Sequence, residues 1–359
     1  MKRMKIAMVV PELVTGGAET MAVRLACAID KTKFHLKVIC LGKNLNGALD
    51  KELSDKNIEI IYLGEQTHKD IITFLKLSKQ LSLFQPDIIH GHIAATLYAL
   101  PWIMFHKCKI LHTVHTRPDM EFSRKVQKII EFFAKHKKLI VCAVSKENQY
   151  IASSFYKLSL NQVEFVNNPV DINRFRKESM CDGLFRLINV SRQDSNKNQI
   201  LLLEAIRDIC TVCPKIQLIL VGDGNQHNTL IRFVKENNLD KYVLFTGEIS
   251  NVADYLAISD LYLSASHREA LPLSIIEAMA SKLPIVASRV GGIQDLIDGN
   301  GFLYEDNDLE ELKKYIVYFY SHHDDAKKMG ERSFELVQEF DVSKCVEKYQ
   351  AIYLKYGRC

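Results

Sequence analysis

This chain lacks the composition of a disordered tail, a coiled coil or a collagen-like rod. Of its 359 residues, 47% are hydrophobic and 25% charged, the ordinary proportions of a globular protein. Long apolar runs are also missing. Met1–Lys5 is basic, but the run Ile6–Val10 stops at Pro11, too short for the core of a secretory leader. The most lipid-like stretch, Ile93–Phe105, is interrupted by Pro101 and falls short of the roughly 18 residues that spanning needs. The expectation is a chain that crosses no bilayer. There is no dense disulfide framework: the nine cysteines are scattered and read as free thiols of a reducing cytoplasm. Low-complexity segments and obvious internal repeats are absent, and neither GxGxxG nor a P-loop occurs.

What is present suits two domains better than one. A chain of this size buries a large core without disulfides or metals to staple it. The net charge of +4 hides an asymmetry: residues 1–168 hold 24 Lys and Arg against 15 Asp and Glu, whereas the remainder holds 23 against 28. Such a split often marks a polyanionic partner for the basic half. Short apolar runs alternate with longer amphipathic ones, the pattern of βαβ units and parallel sheets. In the first half, strands are predicted at Lys5–Val10, Leu36–Leu41, Ile58–Leu63, Asp87–His90, Lys109–His115 and Leu139–Val144. Helices are predicted at Ala18–Ile29, Asp70–Phe84 and Phe122–Lys135. In the second half, strands are predicted at Phe185–Val190, Ile216–Val221, Val243–Thr246, Leu261–Ser264 and Pro284–Ala287. The helices there are Gln199–Ile209, Gln226–Asn237 and Ser274–Ser281. The polar stretch Asn167–Gly183 reads as the linker. An amphipathic tail follows Phe340, and periodicity does not say which half it packs on. The predicted organisation is a domain at 1–168, a second at 169–340 and a terminal helix at 341–359. Two doubly wound Rossmann-like domains facing across a cleft usually bind a ligand between the carboxyl ends of their strands.

Three places carry candidate chemistry. The first strand runs into Thr15-Gly16-Gly17-Ala18-Glu19 and a helix. A glycine pair there lets backbone amides approach an anion, although by itself it is more often only a tight turn. The first strand of the second half is followed by Ser191-Arg192-Gln193-Asp194-Ser195-Asn196-Lys197 and another helix. Two cations at a helix N-terminus oppose its dipole, a conflict that a bound diphosphate resolves through the Arg fork and the Lys charge. A solvated loop is the plain alternative. Finally, Glu269 follows an apolar strand, and Glu277 lies inside an apolar helix beside Ile275, Ile276 and Met279. A carboxylate in such surroundings needs a hydrogen-bonding partner, from a ligand hydroxyl or from the chain. The same spacing recurs at Glu331, Glu339 and Glu347, which read as an exposed helical face.

These segments together resemble the family 4 retaining glycosyltransferases, whose fold is GT-B. The resemblance runs over nearly the whole chain. It rests on Gly16-Gly17-Ala18-Glu19, Ser145-Lys146, Asn168-Pro169-Val170-Asp171, Arg192 with Lys197, Gly222-Asp223-Gly224, Phe245-Thr246-Gly247, Glu269 to Glu277, Gly291-Gly292 and Gly301-Phe302-Leu303. It implies that Arg192 and Lys197 hold the donor diphosphate, assisted by amides at Gly16 and Gly17. Glu269, with Ala270, Leu271, Pro272 and Leu273, would meet the donor sugar, and Glu277 the ribose. Gly247, Glu248 and Ile249 would line the base pocket, and His115 would stand near the sugar ring. The activity implied is transfer of a hexose or N-acetylhexosamine from a nucleotide sugar, a UDP-sugar by family frequency, to a saccharide or polyprenyl-linked acceptor. The anomeric configuration is kept, and neither metal nor other cofactor is expected. Positioned cations would stabilise the leaving diphosphate in the metal's place. A sugar-nucleotide 2-epimerase of the same fold and a non-catalytic glycan-binding subunit remain the alternatives.

Weaker signals have plainer readings. His90, His92, His112 and His115 lack the Asp or Cys companions of a zinc site and read as hydrogen-bonded or substrate-facing side chains. Cys210-Thr211-Val212-Cys213 is a lone C-x-x-C and reads as incidental. The segment 121–139 sets Phe122, Val126, Ile129, Ile130 and Phe133 at helical spacing among Arg124, Lys125, Lys128, Lys135, Lys137 and Lys138. It is either a core-facing helix with a solvated basic face or an anionic-membrane surface, which would suit a peripheral enzyme on the inner leaflet. No nucleic-acid-binding motif occurs.

Overall fold

Strands buried on both faces read as continuous apolar runs, and such runs build two all-parallel sheets here. The computed structural model describes residues 3–14, 16–64, 71–118, 122–175 and 182–357. The chain divides into one unit of Met1–Val170 with Phe340–Cys359 and another of Asp171–Glu339.

The first unit contains β1 (Met4–Val10), α1 (Gly17–Ala28), β2 (Phe34–Cys40), α2 (Ala48–Asp55), β3 (Glu59–Tyr62), α3 (Ile71–Phe84) and β4 (Ile88–His92). It continues with α4 (Ala95–Met104), β5 (Lys109–Val114), α5 (Arg124–Lys135), β6 (Leu139–Ala143), α6 (Lys146–Phe155) and β7 (Val163–Phe165). The strand order is β3-β2-β1-β4-β5-β6-β7. Alternate residues of β1 enter opposite cores, as the two-residue period requires. Ile6, Met8 and Val10 meet Met21, Leu25 and Leu53 from α1 and α2, whereas Ala7 and Val9 join Leu77, Ala99, Ile130 and Ala152 from α3 to α6. The C-terminal helix Val342–Tyr356 completes the first of these cores, with Tyr349 and Tyr353 fully buried. The Tyr353 ring stands edge-on to Phe34 at 6.1 Å.

The division between the units falls inside the stretch read as the linker, and its first residues are built into this unit. Asn168 and Val170 are buried, the Val170 amide donates to the Phe340 carbonyl, and the Val342 amide donates to that of Val170, both at 2.9 Å. Backbone pairing between outgoing and returning chain therefore overrides the polar composition. Residues 176–181 of that stretch lie outside the described residues.

The second unit contains β8 (Phe185–Val190), α7 (Gln199–Ile209), β9 (Ile216–Val221), α8 (His227–Glu236), β10 (Val243–Gly247) and α9 (Val252–Ala257). It continues with β11 (Leu261–Ser264), α10 (Leu273–Ala280), β12 (Ile285–Ser288), β13 (Gly301–Tyr304), α11 (Leu309–Ser321) and α12 (His323–Val337). The order is β10-β9-β8-β11-β12-β13. Two strands escaped the sequence reading, β7 and β13, of three and four residues. Both are too short for a period to show.

Candidate functional site

From β8 the chain winds outward through β9 to β10, then returns to place β11 on the other side of β8. The carboxyl ends of β8 and β11 therefore flank the switch point, where the diverging crossovers open a crevice. Arg192 and Lys197 follow β8, and Glu269 follows β11. Residues 72 positions apart in sequence thus meet: the Lys197 ammonium donates to Glu269 Oε1 in a short ion pair. The same oxygen accepts from Ser266 Oγ at 2.8 Å. The pair is sheltered, with side chains 23% and 13% exposed. Arg192, 77% exposed, lays its Nε on Asp194 at 2.7 Å. The other oxygen of Asp194 accepts from the amides of Asn196 and Lys197 at 3.0 and 3.2 Å, which fixes the loop that carries both cations.

Both cations find partners within the chain itself. Asp194 and Glu269 already offset them.

Glycines brace both loops. Gly222, at φ +122°, lies against Ser191, where an added Cβ would come within 2.2 Å of that residue's carbonyl oxygen. Gly291, at φ +48°, lies equally close to Glu269, 1.8 Å from Cβ position to carbonyl oxygen, and the Gly292 amide donates to that oxygen at 3.2 Å. Both motifs therefore hold the two charged loops by backbone contact that only glycine permits. The loops are also tied directly: the His267 amide donates to the Asn196 carbonyl at 2.8 Å, and Asn196 Nδ2 donates to that of Arg268 at 3.1 Å.

Ala270, Leu271 and Pro272 turn the chain into α10, which Leu273 begins, with Leu271 buried. Glu277 is half-buried on that helix, among the fully buried Ile275, Ile276 and Met279. Glu331, Glu339 and Glu347 are exposed. Gly247 ends β10 beside the end of β9, where its carbonyl accepts from the Gly222 amide at 2.9 Å. Glu248 is exposed and Ile249 half-buried just beyond it.

In the first unit the switch point lies between β1 and β4. Gly16 caps α1 without a side chain, and Gly17 opens it with its surface exposed. Among the described residues, nothing beyond its chain neighbours lies within 4 Å of a Cβ added at Gly17. His92 ends β4 and His115 follows β5, and their rings stack with centroids 5.1 Å apart. His92 Nδ1 lies 2.9 Å from His115 Nε2. His90 bonds Tyr353 and Thr113 at 2.7 Å each, and His112 bonds Thr96 at 2.8 Å. Burial holds all four neutral: His112 is pushed down to about 4 and His115 to about 3, while His90 and His92 lie well below the usual imidazole value. Among the described residues no group of three or more His, Cys, Asp or Glu is placed to hold a metal ion.

Within the segment 121–139, Glu121 lies outside the described residues. Phe122, Ile130, Phe133 and Ala134 are buried and Val126 packs against the same core, so the helix is core-facing. Ile129 and Phe132 nevertheless stand 45% and 55% exposed among Arg124, Lys125, Lys128 and Lys135. No helix among the described residues is long and apolar enough to cross a membrane. Cys210 and Cys213 are free thiols.

Sequence reasoning overlooked Asp194, Ser266 and the pairing of His92 with His115. Asp194 stands two residues after Arg192 and Ser266 three before Glu269, so both were findable as polar residues in the loops already singled out. The histidine pairing depends on strand register, Gly91 opposite His112 and His92 opposite Thr113.

Residues 171–336 match the family described as glycosyl transferases group 1, and residues 15–174 match glycosyltransferase family 4. The chain is 25% identical to the UDP-Gal:alpha-D-GlcNAc-diphosphoundecaprenol alpha-1,3-galactosyltransferase of Escherichia coli, across 98% of this chain and 97% of that one. It is 34% identical to the N-acetyl-alpha-D-glucosaminyl L-malate synthase of Bacillus anthracis, across 51% of this chain and 49% of that one. The crystal structure of HepE from Anabaena in complex with UDP-glucose shares its fold, with a TM-score of 0.85 at 20% identity over 98% of this chain and 100% of that one.

Proposed function

This chain belongs to the family 4 glycosyltransferases of the GT-B fold, and we propose that it transfers a hexose or N-acetylhexosamine from a UDP-sugar to a saccharide or lipid-linked saccharide, with retention and without a metal. The observation that carries the reading is the Lys197–Glu269 pair at the switch point of the second sheet, with the exposed Arg192 beside it. One ammonium and one guanidinium suit a diphosphate, and a carboxylate suits sugar hydroxyls. The named substrates of the Escherichia coli relative and the UDP-glucose bound to HepE support the choice of donor.

In this reading the C1–O bond to the diphosphate breaks while the acceptor oxygen bonds to C1 on the same face. The acceptor's proton passes to the departing phosphate oxygen. Lys197 and Arg192 stabilise the charge that develops there, the role a metal plays elsewhere. Glu269 positions sugar hydroxyls, Glu277 the ribose, and the backbone at Gly247 to Ile249 the base. His115 donates to a sugar oxygen, and the exposed Gly17 amide favours the approach of phosphate.

Incubation with a panel of nucleotide sugars tests this. UDP release that requires acceptor, an α-linked product from an α-donor and full activity in EDTA are expected. A 2-epimer formed from donor alone, inversion, or loss of activity in EDTA would refute it.

The exposed Ile129 and Phe132, ringed by cations, are read as a contact with anionic lipid that brings the enzyme to a lipid-carried acceptor. Co-sedimentation with phosphatidylglycerol vesicles should weaken in salt and in Phe132→Ser. Indifference to both would end that part of the reading.

A further inference from the structure

His115 has a partner that the reading above does not use. His92 is 1% exposed at the end of β4, and its Nδ1 lies 2.9 Å from His115 Nε2. Each neutral imidazole carries one N–H, so only one of these two nitrogens donates. His92 Nε2 is buried and has no hydrogen-bond partner among the described residues. If His115 donated from Nε2, His92 would have to carry its own proton on that sealed Nε2, a buried N–H with nothing to receive it. If His92 donates from Nδ1, the sealed nitrogen is a bare lone pair. An orphaned N–H is the rarer and costlier of the two.

We infer that His92 is a positioning residue that locks His115 into its Nδ1–H tautomer, so that His115 offers substrate a hydrogen-bond donor and no free lone pair. His90 cannot take over this role, because both its nitrogens are engaged by Tyr353 and Thr113, and its ring lies 4.2 Å from that of His92 between centroids. Burial keeps the pair uncharged at neutral pH, as the arrangement requires. His115 is therefore unsuited to act as a base, because the His92 proton occupies its Nε2. A sugar hydroxyl or acetamido oxygen is the group it fits.

The inference rests on the reading that His115 meets substrate, but its main test does not. Long-range 1H–15N correlation spectra of the 15N-histidine-labelled enzyme at pH 7.5 distinguish the two tautomers directly. His115 should carry its proton on Nδ1 with a bare Nε2, and His92 likewise on Nδ1; His115 protonated on Nε2 overturns the inference. In His92→Phe the His115 signal should move toward the Nε2–H form and kcat/KM should fall about tenfold, the worth of one hydrogen bond. His92→Asn, whose amide can donate from the Nδ1 position, should restore both. An unchanged His115 tautomer in folded His92→Phe also overturns it. His115→Ala with full activity would instead sink the substrate role of His115 and leave the spectroscopic result standing.

Discussion

Lys197→Ala separates what the Lys197–Glu269 pair does for the fold from what it does for the reaction. The substitution leaves the Glu269 carboxylate, 13% exposed, with the Ser266 hydroxyl at 2.8 Å as its remaining side-chain donor among the described residues. A sheltered charge that loses its partner costs about 1–2 kcal/mol here, the low end for charged hydrogen bonds because some water still reaches the site. In a unit of this size that lowers the melting temperature by about 2–8 °C. Glu269→Gln in the same chain removes the uncompensated charge, so the double variant should recover most of that loss. Activity should behave differently. Removing a positioned group that stabilises developing charge costs about 10²–10³ in kcat/KM. Replacing Glu269 as well returns no cation to the phosphate. Melting curves and donor-dependent UDP release on the wild type, the two single variants and the double variant complete the cycle. If the double variant regains activity along with stability, Lys197 serves only as the counter-ion of Glu269 and its diphosphate role is refuted.

Gly291→Ala should be the most damaging small substitution near the site, because both φ +48° and the Glu269 carbonyl oppose a side chain there. A melting temperature lowered by several degrees with lost activity is expected, and a variant of unchanged stability would contradict the close approach. Gly17→Ala should do the opposite. Its Cβ meets nothing within 4 Å among the described residues, and alanine favours a helix start by up to ~1 kcal/mol, so stability should hold or rise while the donor KM increases. An unchanged KM would remove Gly17 from the donor site. His90, His92, His112 and His115 make stability depend on pH. Their folded values lie below the unfolded value near 6.5, His112 at about 4 and His115 at about 3, so the unfolded chain binds the additional protons. Stability is complete above pH 6.5 and falls as pH drops below it, by about 1.4 kcal/mol per pH unit for each such histidine. Melting temperatures at pH 7.5, 6.5 and 5.5 should show this, with a shallower slope in His112→Asn; a flat profile would mean that the histidines are not held neutral.

Much of the fold was legible because interior parallel strands are apolar on both faces, so Ile216–Val221 and Leu139–Ala143 declare themselves with no period to decode. The short edge strands β7 and β13 offer no such run. The docking of the C-terminal helix was hidden for another reason. Its pattern marks Tyr349 and Tyr353 as an apolar face, but which core that face enters depends on Val170 pairing with the returning chain at Phe340 and Val342. That is a contact between segments about 170 residues apart, beyond any local pattern. The site shows the same division. Arg192, Lys197 and Glu269 could be picked out one by one, from charges in loops after strands. Their mutual neutralisation follows from the adjacency of β8 and β11, which is a property of the sheet order and not of either segment.

The glycines and charges of this chain's motifs divide by whether the fold itself accounts for them. Gly222 and Gly291 are answered by backbone pressed against them, and Asp194 by two amides it holds in place. These residues would be needed in an empty scaffold. Gly17 and Arg192 are not accounted for in this way. Nothing crowds the first, and the second is 77% exposed with its partner only two positions away, an arrangement that contributes little stability. A helix start is better served by a capping side chain than by Gly16-Gly17, and a loop before α7 gains little from a guanidinium. Residues that cost the fold something and return nothing to it are where a ligand's demands are visible. The two stand next to the switch points of their respective sheets, after β1 and after β8, which is where that demand is expected to fall.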